Sequence, residues 1–234
     1  NGIDYEALNP QTDTYIPYNY TAKNVLTQKK KNKQKLQEAS NLPKSGDTLL
    51  IGMVSRTSFQ KGFDLISCMM EEFLAKEQVQ VVVLGTGEER YEQMFRYFAE
   101  KYPDKISVKI GYSEQDAHLI YAGADAFLMP SLFEPCGLSQ LIAMRYGTVP
   151  IVRETGGLKD TVEPYNKFTQ EGTGFSFANF DAKEMTEILY SAMDLYNTQK
   201  RNWNDLLIRG MNQDFSWSGS VEEYEKLYEN VCRI

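Results

Sequence analysis

The sequence predicts an α/β protein with a doubly wound, Rossmann-like parallel sheet and helices on both faces. Three observations lead there. From residue 48 onward, short apolar runs alternate with longer segments of helical periodicity. Several runs stop at Gly or Pro, as strand ends do. The spacing of run and helix is that of right-handed βαβ units, which build parallel sheets.

The first strand is 49–54 (LLIGMV), a run without a charged residue. Residues 62–76 read as a helix because Phe63, Ile66, Met69, Met70 and Phe73 recur on one face. Residues 79–84 (VQVVVL) form the clearest strand, β-branched and closed by Gly85. A helix over 88–101, a strand over 106–110 and a helix over 114–122 follow, the last with Ser113 as N-cap. The strand 125–129 stops at Pro130, and the helix 138–146 is closed by Gly147. Residues 149–152 and 174–177 are the remaining strands, and 181–197 and 200–213 are amphipathic helices. After Trp217, the residues Val221, Tyr224, Leu227, Tyr228 and Val231 share one face of a closing helix. That face either packs on its own domain or is left for another surface.

Residues 1–47 read as a linker and lead-in segment, broken by Asn9-Pro10, Ile16-Pro17 and Leu42-Pro43. The lysine-rich run 29–35 is either an anionic-partner patch or one solvated helix face. The net charge of −7 favours the solvated face. The same charge disfavours a general nucleic-acid binder without forbidding a local anion pocket. No apolar run reaches 18 residues, so no membrane-spanning helix is expected. Cys68, Cys136, Cys232 and the single His118 lack metal-ligand spacing, so no metal site is expected. His118 reads as structural. The scattered cysteines suit a reducing compartment, and there is no signal-peptide pattern. The chain opens at Asn1 rather than Met and is expected to be cut from a longer one.

Parallel sheets bind ligands beyond the C-terminal ends of their strands, so the loops there carry the search. In the first loop, Arg56 and Lys61 lie five apart across a turn before Gly62. They are either a diphosphate clamp, Arg giving a planar fork and Lys a compact charge, or two surface cations. The Gly85-Thr86-Gly87 loop lacks the third glycine of the dinucleotide fingerprint, which lowers NAD chemistry. Tyr112, after Gly111, either stacks on a base or packs into the core. The fourth loop is the most informative. Glu134 can accept hydrogen bonds from sugar hydroxyls, and Gly137, Leu138 and Ser139 present free N–H groups at a helix start. A sugar acceptor beside a phosphate cradle suits a nucleotide-sugar; an ordinary helix N-terminal charge is the plainer reading. Thr155, Gly156 and Gly157 bring further N–H groups toward the ligand or form a structural turn.

Taken together these loops resemble the C-terminal half of bacterial glycogen synthases and plant starch synthases. The matching text is Ser55-Arg56 to Gln60-Lys61-Gly62, Gly111-Tyr112, residues 120–125, residues 133–138, residues 144–150 and residues 155–158. Residues 1–4 resemble that half's opening and residues 214–217 its ending. The resemblance implies one half of a GT-B fold, two Rossmann-like domains facing a cleft. It divides the chain into the lead-in segment 1–47, a nucleotide-sugar-binding domain over 48–213, and a crossover helix over 214–234. The implied reaction moves glucose from ADP-glucose, or UDP-glucose in some members, to the non-reducing end of an α-1,4-glucan with retention.

Carried over by residue, Arg56 and Lys61 hold the donor diphosphate and stabilise the leaving ADP, and Glu134 binds glucose hydroxyls; these three are the implied catalytic residues. Tyr112 stacks near adenine. Cys136, Gly137, Leu138, Ser139, Thr155, Gly156 and Gly157 complete the implied substrate-binding set. The scheme uses no cofactor and no metal. The implied partners are ADP-glucose and the glucan, with no nucleic acid and no membrane. The implied location is the bacterial cytoplasm, or the plastid for a plant protein. A second glutamate common in related retaining transferases is replaced by Ile142, as in the synthases resembled. The family's other phosphate loop, its cleft histidine and most of the acceptor groove belong to an N-terminal half that this text lacks, so the chain alone is expected to be inactive. Two rival readings accompany this one. One is another retaining GT-B transferase, such as a sucrose-synthase-like enzyme; a phosphorylase finds no segment for its pyridoxal-phosphate lysine. The other is a non-catalytic, glucan-associated or scaffold module that keeps the fold.

Overall fold

The structure, a computed structural model, describes residues 2–232. Asn1 of the lead-in and Arg233 and Ile234 of the closing segment lie outside the described residues. Six strands form one parallel sheet: β1 (Leu49–Val54), β2 (Val79–Gly85), β3 (Ile106–Ile110), β4 (Ala126–Met129), β5 (Val149–Arg153) and β6 (Phe175–Phe177). Their order is β3-β2-β1-β4-β5-β6, and every pairing is parallel. The central runs are almost wholly apolar because both faces are covered; β2 is buried throughout, Gln80 included.

The nine α-helices among the described residues are α1 (Val25–Ala39), α2 (Phe63–Lys76), α3 (Glu89–Lys101), α4 (Glu114–Gly123), α5 (Ser139–Arg145), α6 (Gly156–Thr161), α7 (Ala182–Thr198), α8 (Lys200–Met211) and α9 (Trp217–Cys232). Helices α2, α3 and α7 pack together on one face, while α1, α4 and α5 cover the other. The expected apolar face of α2 is wholly buried, and Ser113 caps α4 by accepting the Asp116 N–H. The strand and helix bounds expected from sequence hold to within one or two residues.

Sheet register creates the opening that matters. β1 pairs with β2 along its whole length, Leu49 with Val79 through Val54 with Leu84. It pairs with β4 only at Ile51–Ala126 and Gly52–Phe127. Beyond those pairs the C-terminal ends of β1 and β4 part, and their following loops turn to opposite faces. This is the topological switch point of a doubly wound sheet.

Two expectations fail on packing. The lysine run lies on a helix, α1, but its face is not simply solvated. Lys29 and Lys33 are buried, while Lys30, Lys31 and Lys35 are exposed. Lys29 Nζ donates to the carbonyls of Tyr121 and Ala122 at the end of α4, to that of Tyr146 after α5, and to Thr148 Oγ1. One ammonium group thus closes two helix C-termini, where carbonyls lack N–H partners. Lys33 Nζ bonds Asp125 Oδ2 at 2.6 Å, the Thr48 carbonyl and the Tyr196 hydroxyl. Residues before 48 also enter the main core through Ile16, Tyr20, Val25, Leu36 and Leu42. At the other end, α9 buries no residue, and its apolar face of Val221, Tyr224, Leu227, Tyr228 and Val231 is exposed.

Candidate functional site

A hollow of about 170 Å³ sits in the β1–β4 crevice. Met53, Val54, Leu128 and Met129, from the parted strand ends, form its floor, and Arg56, Lys61, Ser131 and Ser139 reach it from the loops above. Arg56 is exposed and has no ion-pair partner among the described residues. Lys61 Nζ lies 2.6 Å from Glu134 Oε2, with side chains 18% and 11% exposed. Ser131 Oγ donates to the same carboxylate oxygen at 3.1 Å. The first and fourth loops therefore meet at one cation–carboxylate pair.

Glycines set the spacing of these loops. Gly62 has φ +79°, and a Cβ there would lie 1.9 Å from the Pro130 carbonyl oxygen. Only glycine lets the first loop turn down against the fourth. The backbone confirms the contact: the Leu132 N–H donates to the Gln60 carbonyl at 2.8 Å. A Cβ at Gly157 would lie 1.6 Å from the Cys136 carbonyl oxygen, so the fifth loop abuts the fourth equally closely.

The other residues of the expected set differ in what their backbone and side chains face. The N–H groups of Gly137, Leu138 and Ser139 meet no acceptor among the described residues and stand at the start of α5 beside the hollow. Gly157 does not offer its N–H outward as expected; it donates to the carbonyls of Glu134 and Pro135 at 3.1 and 3.3 Å. The physical reason is proximity: at such an approach the nearest acceptor is the fourth loop itself. Thr155 is half-buried with its N–H on the Arg153 carbonyl, and Gly156 is exposed at the start of α6. The Cys136 thiol is free and exposed. Tyr112 is 80% exposed, which removes the core-packing reading. The Gly85–Gly87 turn is occupied by backbone pairing with Thr57, whose carbonyl accepts the Glu88 N–H at 2.7 Å. His118 is buried, shares a 2.7 Å hydrogen bond with Asp13 and does not line the hollow.

Sequence reasoning gave no role to Arg153, Ser131 or Gln140. The Arg153 guanidinium donates to the carbonyls of Ser131, Leu132 and Ala178, binding the fourth loop to the end of β6. Gln140 is fully buried, and its amide donates to the Gly137 carbonyl and to Thr161 Oγ1. An arginine at the end of a strand that faces a carbonyl-rich loop was the available signal for the first. Nothing in the sequence marks the second, because a glutamine in a first helical turn ordinarily faces water.

The chain is similar to known proteins across nearly its full length. The sequence profile of the glycosyl transferases group 1 family matches residues 33–204. The glycogen synthase of Lachnospira eligens is 57% identical over 231 residues, which is 99% of this chain and 48% of that protein. The glycogen synthase of Bacillus anthracis is 49% identical over the same length and share. The chain thus spans about half the length of the curated relatives it matches. Among solved structures, the catalytic domain of starch synthase IV from Arabidopsis thaliana, bound to ADP and acarbose, superposes with a TM-score of 0.90 at 35% identity, covering 98% of this chain and 48% of that one. The C-terminal domain of a group 1 glycosyl transferase, LpcC, from Francisella tularensis shares the fold, with a TM-score of 0.57 at 16% identity over 88% of this chain and 96% of that one. These likenesses bear out the resemblance to glycogen and starch synthases, and the chain belongs to the group 1 glycosyl transferases.

Proposed function

We propose that this chain is the donor-binding half of a retaining glucosyltransferase that extends an α-1,4-glucan from ADP-glucose. The carrying observation is that Arg56, Lys61 and the open start of α5 surround one hollow, with Glu134 bonded to Lys61 at its edge. The diphosphate takes the place nearest the two cations and the N–H groups of residues 137–139. Glucose hydroxyls meet Glu134, whose position Ser131 and Lys61 already fix. As the glycosidic bond breaks, negative charge grows on the departing ADP, and Arg56 and Lys61 stabilise it there. The exposed Tyr112 ring serves as a face for adenine. The starch synthase relative, whose structure holds ADP and acarbose, supports this choice of nucleotide and of a glucan-type sugar. The glucan is held mainly by a second domain across the cleft, and the chain alone does not turn over, because the transition state needs groups from both walls.

Calorimetric titration with ADP, and with UDP in parallel, tests the reading. ADP is expected to bind, more tightly than UDP, and to bind more weakly after Arg56→Ala and after Lys61→Ala. Absence of ADP binding, or affinity unchanged in both variants, overturns it.

A further inference from the structure

The crevice between β1 and β4 has a counterpart at the opposite end of the same strands. There, between α1 and the α7–α8 corner, lies a smaller hollow of about 40 Å³. Four lysines, Lys29, Lys30, Lys33 and Lys200, line it, with Asp125 as the only carboxylate among the lining residues. In a chain of net charge −7 this inverts the average.

The carboxylate is already engaged, because Asp125 Oδ2 takes Lys33 Nζ at 2.6 Å and the Leu50 N–H at 2.9 Å. Lys30 and Lys200 have no ion-pair partner among the described residues. Lys200 Nζ rests 3.2 Å from the centroid of the Tyr196 ring, and Lys33 Nζ lies 5.3 Å from that same centroid. Partial desolvation of its ammonium end, together with the neighbouring ammonium groups of Lys33 and Lys30, holds the otherwise exposed Lys200 below the usual lysine range despite Asp125 and Asp47. Burial likewise pushes Lys29 down to about 7, Lys33 adding to the push and Asp125 opposing it. Ammonium groups crowded in this way, with one carboxylate among them, gain most from a multiply charged anion.

We propose that this hollow binds a phosphate dianion, held directly by Lys30, Lys200 and the Asn204 side chain, with Lys29 and Lys33 supplying field from behind. Lys29 and Lys33 are committed to internal acceptors and do not reach the ligand. The small volume admits the phosphate group and leaves any esterified remainder in solvent. Free phosphate and a phosphate monoester therefore share the site. The site stands apart from the donor reading, since it shares no residue with the rim.

The test is a ¹⁵N NMR titration of the 234-residue chain carrying Arg56→Ala and Lys61→Ala, so that the rim is silent. Inorganic phosphate and glycerol 3-phosphate are the two arms, and sodium chloride at matched ionic strength is the control. Saturable shifts are expected at the amides of residues 29–33 and 200–204, in one arm or both; a tighter arm identifies the source. Adding Lys30→Ala and Lys200→Ala, both at exposed positions, is expected to weaken binding about tenfold. Adding Lys30→Arg and Lys200→Arg is expected to keep it. No saturable shift at those amides, equal shifts with chloride, or unchanged affinity in the double alanine variant overturns the proposal.

Discussion

The two ends of the β1–β4 seam carry the same kind of side chain and use it in opposite ways. At the N-terminal end, Lys29 and Lys33 are buried and their ammonium groups are met by carbonyls, two hydroxyls and one carboxylate. At the C-terminal end, Lys61 has a single partner and Arg56 has none among the described residues. A cation whose hydrogen bonds are all internal holds elements together. A cation with donors to spare is available to a ligand. The contrast separates architecture from recognition more sharply than charge or location does.

The comparison breaks first at Lys33. Lys33→Ala leaves the half-buried Asp125 without its ion-pair partner and takes the buried donor from the Thr48 carbonyl and the Tyr196 hydroxyl, and urea denaturation is expected to show a loss of about 3–5 kcal/mol. Lys61→Ala, which leaves Glu134 its hydrogen bond from Ser131, should lower stability less, by about 1–2 kcal/mol. Equal losses at the two lysines would erase the distinction. Next in size, Gly157→Ala forces a Cβ into the Cys136 carbonyl and is expected to cost about 3 kcal/mol by the same measurement. It should also weaken ADP binding, although the Gly157 N–H never faces the ligand. Third, Lys61→Ala is expected to weaken ADP binding about thirtyfold, or about 2 kcal/mol, as read by calorimetry. Lys33 variants that remain folded should bind ADP normally.

The smallest effect concerns the buried Asp13 cluster, a third way of satisfying a charge. Burial alone would raise its carboxyl, but hydrogen bonds from His118, Tyr146 and the Tyr15 N–H outweigh burial and hold it below its ordinary value of 3.8. A lowered folded-state value means the stabilisation is complete above that ordinary value. It is lost as pH falls through the lower one. Urea midpoints measured from pH 7 down to pH 2 should show an acid limb, and Asp13→Asn should flatten it and cost about 1 kcal/mol at pH 7.

Most of the sheet was legible because its strands are covered on both faces. Residues 49–54 carry no charged or polar side chain, 79–84 only Gln80, and glycine or a turn ends each of them. The site loops were legible because strand order dictates where ligands go, and because Arg56, Lys61 and Glu134 are unusual company at strand ends. Lys29 and Lys33 were misread because most of their acceptors, the Tyr121 carbonyl and the Asp125 carboxylate among them, lie some ninety residues or more away in sequence. A signal was present: Val25, Lys29, Lys33 and Leu36 share one helical face, so the lysines stand in register with core residues. The N–H of Gly157 was misread for another reason. A glycine next to a ligand loop and a glycine pressed into its neighbour look the same in one dimension. The apolar stripe of α9 was read correctly as a stripe, but periodicity says nothing about what lies opposite it.

Backbone-to-backbone abutment at Gly62 and Gly157 has a mechanical consequence. The first loop bears on the fourth, and the fourth bears on the fifth, with no side chain between them to yield. Such a rim has no slack, so a displacement begun in one segment must be carried by the others. Stiffness of this kind favours a guest whose span already matches the rim over one that would need the loops to remould.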